Sequence, residues 1–150
     1  MSGSRITHAM VLAAGFGQRM RPLTNTLPKP LIRLGGRTLI DHVLDRLAGV
    51  GVQQAIVNVH YLPHLIEAHL RTRTYPQISI SDERELLLDT GGAVQKAMPL
   101  LGEAPFFVHN SDSVWIERSG NILARMVDTW NPVTMDALLL LAPVASCLGY

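Results

Sequence analysis

Hydrophobic and polar positions follow two different periods along the chain. Apolar runs at residues 10–14, 55–59, 105–109 and 135–141 are typical of buried strands, and apolar and polar residues alternate over 78–81 as in a short strand. Between these runs, apolar residues three and four positions apart predict four amphipathic helices, beginning near residues 39, 62, 90 and 122. Because strands and helices alternate, the pattern predicts right-handed βαβ units around a mostly parallel sheet.

Local signals mark where three of the helices begin. Thr38, with Asp41 three residues later, resembles a capping box at the start of the first helix. Pro63 suits the first turn of the second helix. Thr90, followed by two glycines, is expected to cap the third.

Polar residues follow the predicted strands where each strand ends. In an open parallel sheet, ligands bind beyond the carboxyl ends of the strands. These ends carry the candidate site residues, at positions 15–17, 60–61, 81–83 and 110–112. The sequence therefore predicts one polar rim along one edge of the sheet.

The first strand leads into a glycine-rich turn with nearby cations. Gly15 and Gly17 lack side chains, so the backbone N–H groups of the turn can close around phosphate oxygens. Arg19 adds a donor fork that matches phosphate geometry, and Lys29 lies between two prolines that restrict its backbone. The plainer interpretation is a tight turn with solvated arginines. Met20 excludes the dinucleotide fingerprint, and the chain contains no G-K-[ST] tripeptide for a P-loop.

A second candidate, Asp112, follows the apolar run that ends at residue 109. An aspartate in this place is often a turn former or a helix cap. Its carboxylate also suits Mg²⁺, a small hard cation that is bound by carboxylate and phosphate oxygens.

The complete pattern resembles the signature of the sugar nucleotidyltransferases, also called nucleoside-diphosphate-sugar pyrophosphorylases. It runs L-A-A-G-x-G-x-R-M-x-P-L-T and is followed by P-K-P at residues 28–30. The resemblance implies a Rossmann-like three-layer α/β/α domain with a mostly parallel sheet, truncated at its C-terminal side. Residues 1–150 are then expected to be the N-terminal, nucleotide-binding portion of a single nucleotidyltransferase domain, with a second metal-binding carboxylate and most of the sugar pocket beyond residue 150.

The resemblance also implies roles for individual residues. Arg19 and Lys29 would neutralise phosphate charge during transfer, and Asp112 would be catalytic by holding the Mg²⁺ cofactor, although Ser111 replaces the family's glycine before it. Glu83 is the candidate for contacting the base, with Glu85 close enough to compete. The expected nucleotide-binding set is Leu12, Ala13, Ala14, Gly15, Gly17, Glu83, Thr90 and Gly91.

The implied reaction joins a nucleoside triphosphate and a sugar 1-phosphate into an NDP-sugar and pyrophosphate. A carboxylate at the base can accept from uracil, thymine or guanine but has nothing to donate to cytosine N3, which favours UTP or GTP. The pattern most resembles the N-acetylmuramate-1-phosphate uridylyltransferases, which recycle a cell-wall sugar. Mannose-1-phosphate guanylyltransferases are the alternative, since residues 57–62 resemble theirs at least as well. A non-catalytic nucleotide-sensing subunit would be expected to lose Lys29 or Asp112.

Composition narrows the remaining partners. A net charge of +1 argues against nucleic acid or an anionic membrane as a bulk partner, and the apolar run at 137–145 is too short to cross a bilayer. The single cysteine, Cys147, cannot form an internal disulfide, which suits the cytoplasm. His60, His64 and His69 lack an evident fourth ligand for zinc, which favours solvated or capping roles. The sequence does not determine the oligomeric state.

Overall fold

A computed structural model describes residues 5–117 and 120–143. The strands are β1 (His8–Leu12), β2 (Arg33–Leu34), β3 (Arg37–Thr38), β4 (Gln54–Val59), β5 (Gln77–Asp82) and β6 (Phe107–Asn110). The helices are α1 (Leu39–Gly49), α2 (Pro63–Leu70), α3 (Asp89–Leu101) and α4 (Ile122–Thr129). Four strands form a parallel sheet in the order β5-β4-β1-β6, and β2 and β3 form a small antiparallel hairpin.

The sheet is covered by helices on both faces. Because side chains alternate along a strand, β1 directs Ala9 and Val11 to one face and Met10 to the other. The first face forms a core with residues of α1, α2 and α4, whereas Met10 packs with Ala93 and Ala97 of α3. The predicted three-layer α/β/α arrangement with a mostly parallel sheet is therefore confirmed.

The helix starts agree with the sequence signals in two of three places. Thr38 caps α1, because its Oγ1 accepts from the Asp41 N–H at 3.2 Å and donates to the Asp41 carboxylate at 2.7 Å. Pro63 occupies the first turn of α2. Thr90 does not cap α3, because the preceding Asp89 begins the helix at φ 61° and its own carboxylate accepts the Thr90 N–H at 2.9 Å.

Two expectations about strands need correction, and one hairpin had not been expected. Residues 135–141 form no strand, because they pair with no neighbour in the part of the chain that the structure describes, and Leu139 and Leu141 are exposed. The first strand ends at Leu12 rather than at residue 14. The β2–β3 hairpin was not predicted, although Gly35 and Gly36, both at positive φ, are typical of such a turn. Cys147 lies outside the described residues.

Candidate functional site

The turn after β1 is folded tightly against the segment that follows it. Gly17 has φ 62°, and a Cβ there would lie 2.9 Å from Thr24 Cγ2 and 3.1 Å from Lys29 Cβ. The Thr24 hydroxyl donates to the Gly17 carbonyl at 2.8 Å. Gly17 is therefore required by both backbone conformation and space, and it brings the turn next to Lys29.

Gly15 has a different environment from Gly17. It is exposed, and no atom lies within 4 Å of the position that a Cβ would occupy. Packing within the protein therefore does not require glycine here, whereas close approach of a ligand to the backbone would. The neighbouring Arg19 and Arg21 are exposed and have no ion pair or hydrogen bond from their side chains among the described residues.

Lys29 and Asp112, far apart in the sequence, form an ion pair at the rim. Lys29 begins a short 3₁₀ helix, and Pro28 and Pro30 on either side of it are buried while its own side chain remains partly exposed. Ser111 places the other partner, because its N–H donates to the Leu12 carbonyl at 3.0 Å. Ser111 is not among the positive-φ residues, so replacing a glycine there causes no backbone strain.

The segment after Asp112 is anchored by an aromatic ring. The Trp115 ring stacks on that of His109 with centroids 5.3 Å apart, and the Arg46 guanidinium lies 4.2 Å from the Trp115 centroid. Arg46 also pairs with Glu117 at 3.1 Å. Burial lowers the pKa of His109 and the Arg46 charge lowers it further, outweighing the opposite effects of the Asn110 carbonyl and Asp112. The His109 ring is therefore neutral at neutral pH.

A buried polar chain crosses the same edge of the sheet. The Asn58 side-chain oxygen accepts the Ala13 N–H at 2.7 Å, and its NH₂ donates to Glu83 Oε1 at 3.0 Å. Glu83 Oε2 accepts the Leu88 N–H at 3.1 Å. Asn58 and Glu83 are only 3% and 1% exposed.

These buried hydrogen bonds change two expectations about nucleotide contacts. Glu83 does not present its carboxylate to a base, because the side chain is buried and both oxygens accept internal hydrogen bonds. The Ala13 N–H is used by Asn58 and is not free for a phosphate. Glu85, the competing candidate, is exposed, as are Thr90 and Gly91 at the start of α3.

Sequence reasoning missed Asn58 and did not predict the side-chain contacts that hold the rim together. Asn58 was identifiable only as the polar residue inside an otherwise apolar run. Tyr61 donates its hydroxyl to the Thr24 carbonyl at 2.8 Å, and Phe16 packs against both Tyr61 and His60. His60 bonds the Glu83 carbonyl and His69 bonds Asp41, so these two histidines have separate partners.

The carboxylates near the rim do not form a complete metal cage. No group of three or more His, Cys, Asp or Glu side chains suited to a metal occurs within residues 5–117 and 120–143. A magnesium ion at Asp112 would therefore take most of its ligands from phosphate oxygens and water, which is the usual arrangement for Mg²⁺. In the same ranges, every helix is too short or too polar to cross a membrane.

Comparison with known proteins identifies the family. The model of the nucleotidyl transferase family matches residues 8–149, which is nearly all of the chain. The chain therefore belongs to the nucleotidyl transferase family, as the resemblance of its glycine-rich turn implied.

Individual relatives narrow the comparison. The N-acetylmuramate alpha-1-phosphate uridylyltransferase of Caulobacter vibrioides is 52% identical over 146 residues, which cover 95% of this chain and 60% of that protein. The mannose-1-phosphate guanyltransferase of Aspergillus fumigatus is 41% identical over 111 residues, covering 71% of this chain and 30% of that protein. Among solved structures, UDP-glucose pyrophosphorylase from Acinetobacter baumanii matches with a TM-score of 0.72 at 23% identity, covering 82% of this chain and 52% of that one, which shows the fold.

Proposed function

We propose that this member of the nucleotidyl transferase family joins a nucleoside triphosphate to a sugar 1-phosphate and releases pyrophosphate. The chain spans about 60% of the length of the Caulobacter relative, so activity and substrates are inferred for the whole protein. The observation that carries the proposal is the grouping of Gly17, Lys29 and Asp112. The glycine turn packs against the base of the Lys29 side chain, and the Lys29 ammonium contacts the Asp112 carboxylate, at the edge of the sheet where ligands of such folds bind.

The grouping suits transfer of a nucleotidyl group. An oxygen of the sugar phosphate attacks the α-phosphorus in line, the bond from that phosphorus to the β-phosphate bridging oxygen breaks, and pyrophosphate leaves. No covalent enzyme intermediate is needed, so the protein contributes positioning and charge neutralisation. Lys29 would exchange its carboxylate partner for phosphate oxygens, and Arg19 would neutralise the departing pyrophosphate. Gly15 and Gly17 would let the backbone approach the β and γ phosphates.

Asp112 is the residue that fits the implied magnesium ion. Its carboxylate is partly exposed, lies beside the turn proposed to hold phosphate, and offers the hard oxygen ligands that Mg²⁺ prefers. When bound, the ion would neutralise negative charge on the phosphate oxygens.

We propose UTP and N-acetylmuramate 1-phosphate as the substrates, because the Caulobacter relative matches 95% of this chain. GTP and mannose 1-phosphate are the second candidate, supported by the Aspergillus relative and by residues 57–62. Since Glu83 is buried, its carboxylate no longer supports a choice between the bases. Leu12, Ala13 and Ala14 remain proposed nucleotide-binding residues. Thr90 and Gly91 remain the proposed contacts to the base, and Glu85 is the remaining carboxylate. We place the reaction in the cytoplasm, because Cys147 is the only cysteine.

A substrate matrix tests the proposal. Pyrophosphate release is measured with UTP, dTTP, GTP and CTP, each against N-acetylmuramate 1-phosphate, mannose 1-phosphate and glucose 1-phosphate. The highest kcat/KM is expected with UTP and N-acetylmuramate 1-phosphate. A maximum with GTP and mannose 1-phosphate would select the second candidate. Tight nucleotide binding without pyrophosphate release from any pair would instead indicate a nucleotide-sensing protein.

A further inference from the structure

The proposed chemistry does not use Glu83 and Asn58, two deeply buried polar residues of the rim. Glu83 is 1% exposed and Asn58 is 3% exposed. Burying a carboxylate carries a large desolvation cost unless hydrogen bonds compensate it. Here the Asn58 amide and the Leu88 N–H supply them. Retaining such a group where apolar residues would pack well suggests a role beyond stability.

The hydrogen bonds run between the two segments proposed to hold the nucleotide. Starting at the Ala13 N–H, they pass through Asn58 and Glu83 to the Leu88 N–H. Gly15, the first residue of the glycine turn, lies two residues after Ala13, and Thr90 lies two residues after Leu88. Strands β1 and β5 do not pair with each other, because β4 lies between them. The side chains of Asn58 and Glu83 therefore link the ends of β1 and β5, which no backbone hydrogen bond joins directly.

Building on the proposed function, we propose that Asn58 and Glu83 are positioning residues that fix the distance between the phosphate-binding turn and the base-binding start of α3. Both segments are then held ready for one nucleotide at once. The triphosphate and the base are covalently joined. When the two segments are correctly spaced, one of them can bind its part of the nucleotide after the other has bound, and no protein segment has to be ordered first. Both residues act through the segments that they hold and touch no substrate.

This role makes a specific distinction between ligands. An intact nucleoside triphosphate needs both segments in register, whereas inorganic tripolyphosphate needs only the glycine turn. Breaking the series of hydrogen bonds should therefore weaken binding of the nucleotide and leave binding of tripolyphosphate unchanged. A merely structural role would affect both ligands together or neither.

Asn58→Ala is the test, and Gln54→Ala is its matched control. Gln54 also lies on β4 and donates a side-chain hydrogen bond to β5, to Ser79 Oγ at 3.0 Å, but four residues nearer the start of the strand. The dissociation constants are measured by titration calorimetry in the complete protein, for inorganic tripolyphosphate and for whichever of UTP and GTP binds more tightly. Thermal unfolding of each variant is recorded beside them.

Asn58→Ala is expected to raise the dissociation constant of the nucleotide about tenfold, while the dissociation constant of tripolyphosphate changes by less than about twofold. Gln54→Ala should leave both dissociation constants unchanged. Glu83→Gln, which keeps the side-chain size, should reproduce the pattern, and it replaces Asn58→Ala if that variant fails to fold. The double variant should be no weaker than the weaker single variant, because both interrupt one chain of bonds.

Two results would overturn the positioning role alone. One is unchanged nucleotide binding by a folded Asn58→Ala or Glu83→Gln protein, and the other is an equal loss for nucleotide and tripolyphosphate. Failure of the unmodified protein to bind either nucleotide would overturn the proposed function, and the positioning role with it.

Discussion

At the scale of single residues, the environment of Lys29 separates it from the other lysine of the chain. The Lys29 ammonium pairs with Asp112, the residue lies between two buried prolines, and its Cβ lies close to Gly17. Lys96 instead extends from α3 to the Asp82 backbone carbonyl. The two lysines are therefore chemically alike but differently placed, which makes Lys96 a control for the loss of a positive charge.

Lys29→Ala is expected to lower kcat about 10²–10³-fold, because one preorganised donor to developing phosphate charge is typically worth this much. Lys96→Ala should have a kcat close to that of the unmodified protein. Steady-state pyrophosphate release measures both, and circular dichroism checks that each variant is folded. A Lys29→Ala enzyme with unchanged kcat would exclude the proposed role of the ammonium.

Replacing each glycine of the turn by alanine is expected to affect a different property, stability at Gly17 and nucleotide binding at Gly15. Gly17→Ala should destabilise the fold by about 1–2 kcal/mol, since alanine is strained at φ 62° and its Cβ would meet Thr24. Gly15→Ala should leave stability nearly unchanged but raise the KM for the nucleotide, because its Cβ would point into open space where phosphate is proposed to approach. Chemical denaturation and nucleotide titration separate the two. A stable, poorly binding Gly17→Ala with an unaffected Gly15→Ala would reverse our assignment.

The residue types of this site could largely be predicted from the sequence, but their partners could not. The glycine turn, Lys29 and Asp112 were chosen as candidates because such groups suit phosphate and magnesium. The structure brings Lys29 and Asp112 into contact, and their roles stay predictions. The burial of Glu83 was not predictable, because it depends on Asn58, which is 25 residues away and adjacent only through the pairing of β4 with β5.

At the scale of elements, the segment between β6 and α4 shows how Asp112 is held. Ser111 attaches one side of it to the end of β1, and Trp115 attaches the other to α1 through Arg46. The cation–π contact comes from α1, which is distant in sequence, and the ring stacking comes from His109 at the neighbouring strand β6. The fold thus anchors a short irregular segment on both sides of the carboxylate that is proposed to bind metal.

Trp115→Leu is expected to raise the Mg²⁺ concentration that gives half-maximal activity, because Asp112 would lose one of its two anchors. A cation–π contact of this kind contributes about 0.5–2 kcal/mol, so the shift should be several-fold. Trp130→Leu, at the end of α4, should leave the Mg²⁺ dependence unchanged. Equal Mg²⁺ activation curves for the two variants would show that Trp115 serves packing alone.

Helices and strands were predicted well where a regular spacing of apolar residues continued along the segment. They were predicted poorly where pairing with another strand decided the structure. The four helices and the four strands of the parallel sheet have persistent apolar faces, so their existence followed from the pattern. Residues 135–141 had a comparable apolar run, but among residues 5–117 and 120–143 no neighbouring strand accepts their backbone hydrogen bonds. An apolar run indicates burial, whereas a strand also needs a partner, and the sequence of the run does not contain that information.

At the scale of the whole molecule, a charged network joins α1 to the segment after α2. Asp41 on α1 accepts from Arg73 at 3.0 Å and bonds His69 at 2.9 Å, and Arg73 also pairs with Asp45. Burial alone would raise the pKa of Asp41. The hydrogen bond from Thr38, the charge and hydrogen bond of His69 and the charge of Arg73 together outweigh burial and lower that pKa below its usual value of 3.8.

This shift predicts how acid should affect stability. Because the folded protein binds a proton at Asp41 less readily than the unfolded chain, the Asp41 contribution is complete above pH 3.8 and is lost as pH falls through the lower, folded-state pKa. Asp41→Asn should therefore lower the free energy of unfolding near neutral pH, and its difference from the unmodified protein should shrink below pH 3.8. Asp136→Asn, which removes the same charge from an exposed position, is the control. Denaturant unfolding from pH 7 to pH 2.5 measures all three proteins. A difference between Asp41→Asn and the unmodified protein that stays constant over this range would show that Asp41 stabilises α1 through its uncharged hydrogen bonds alone.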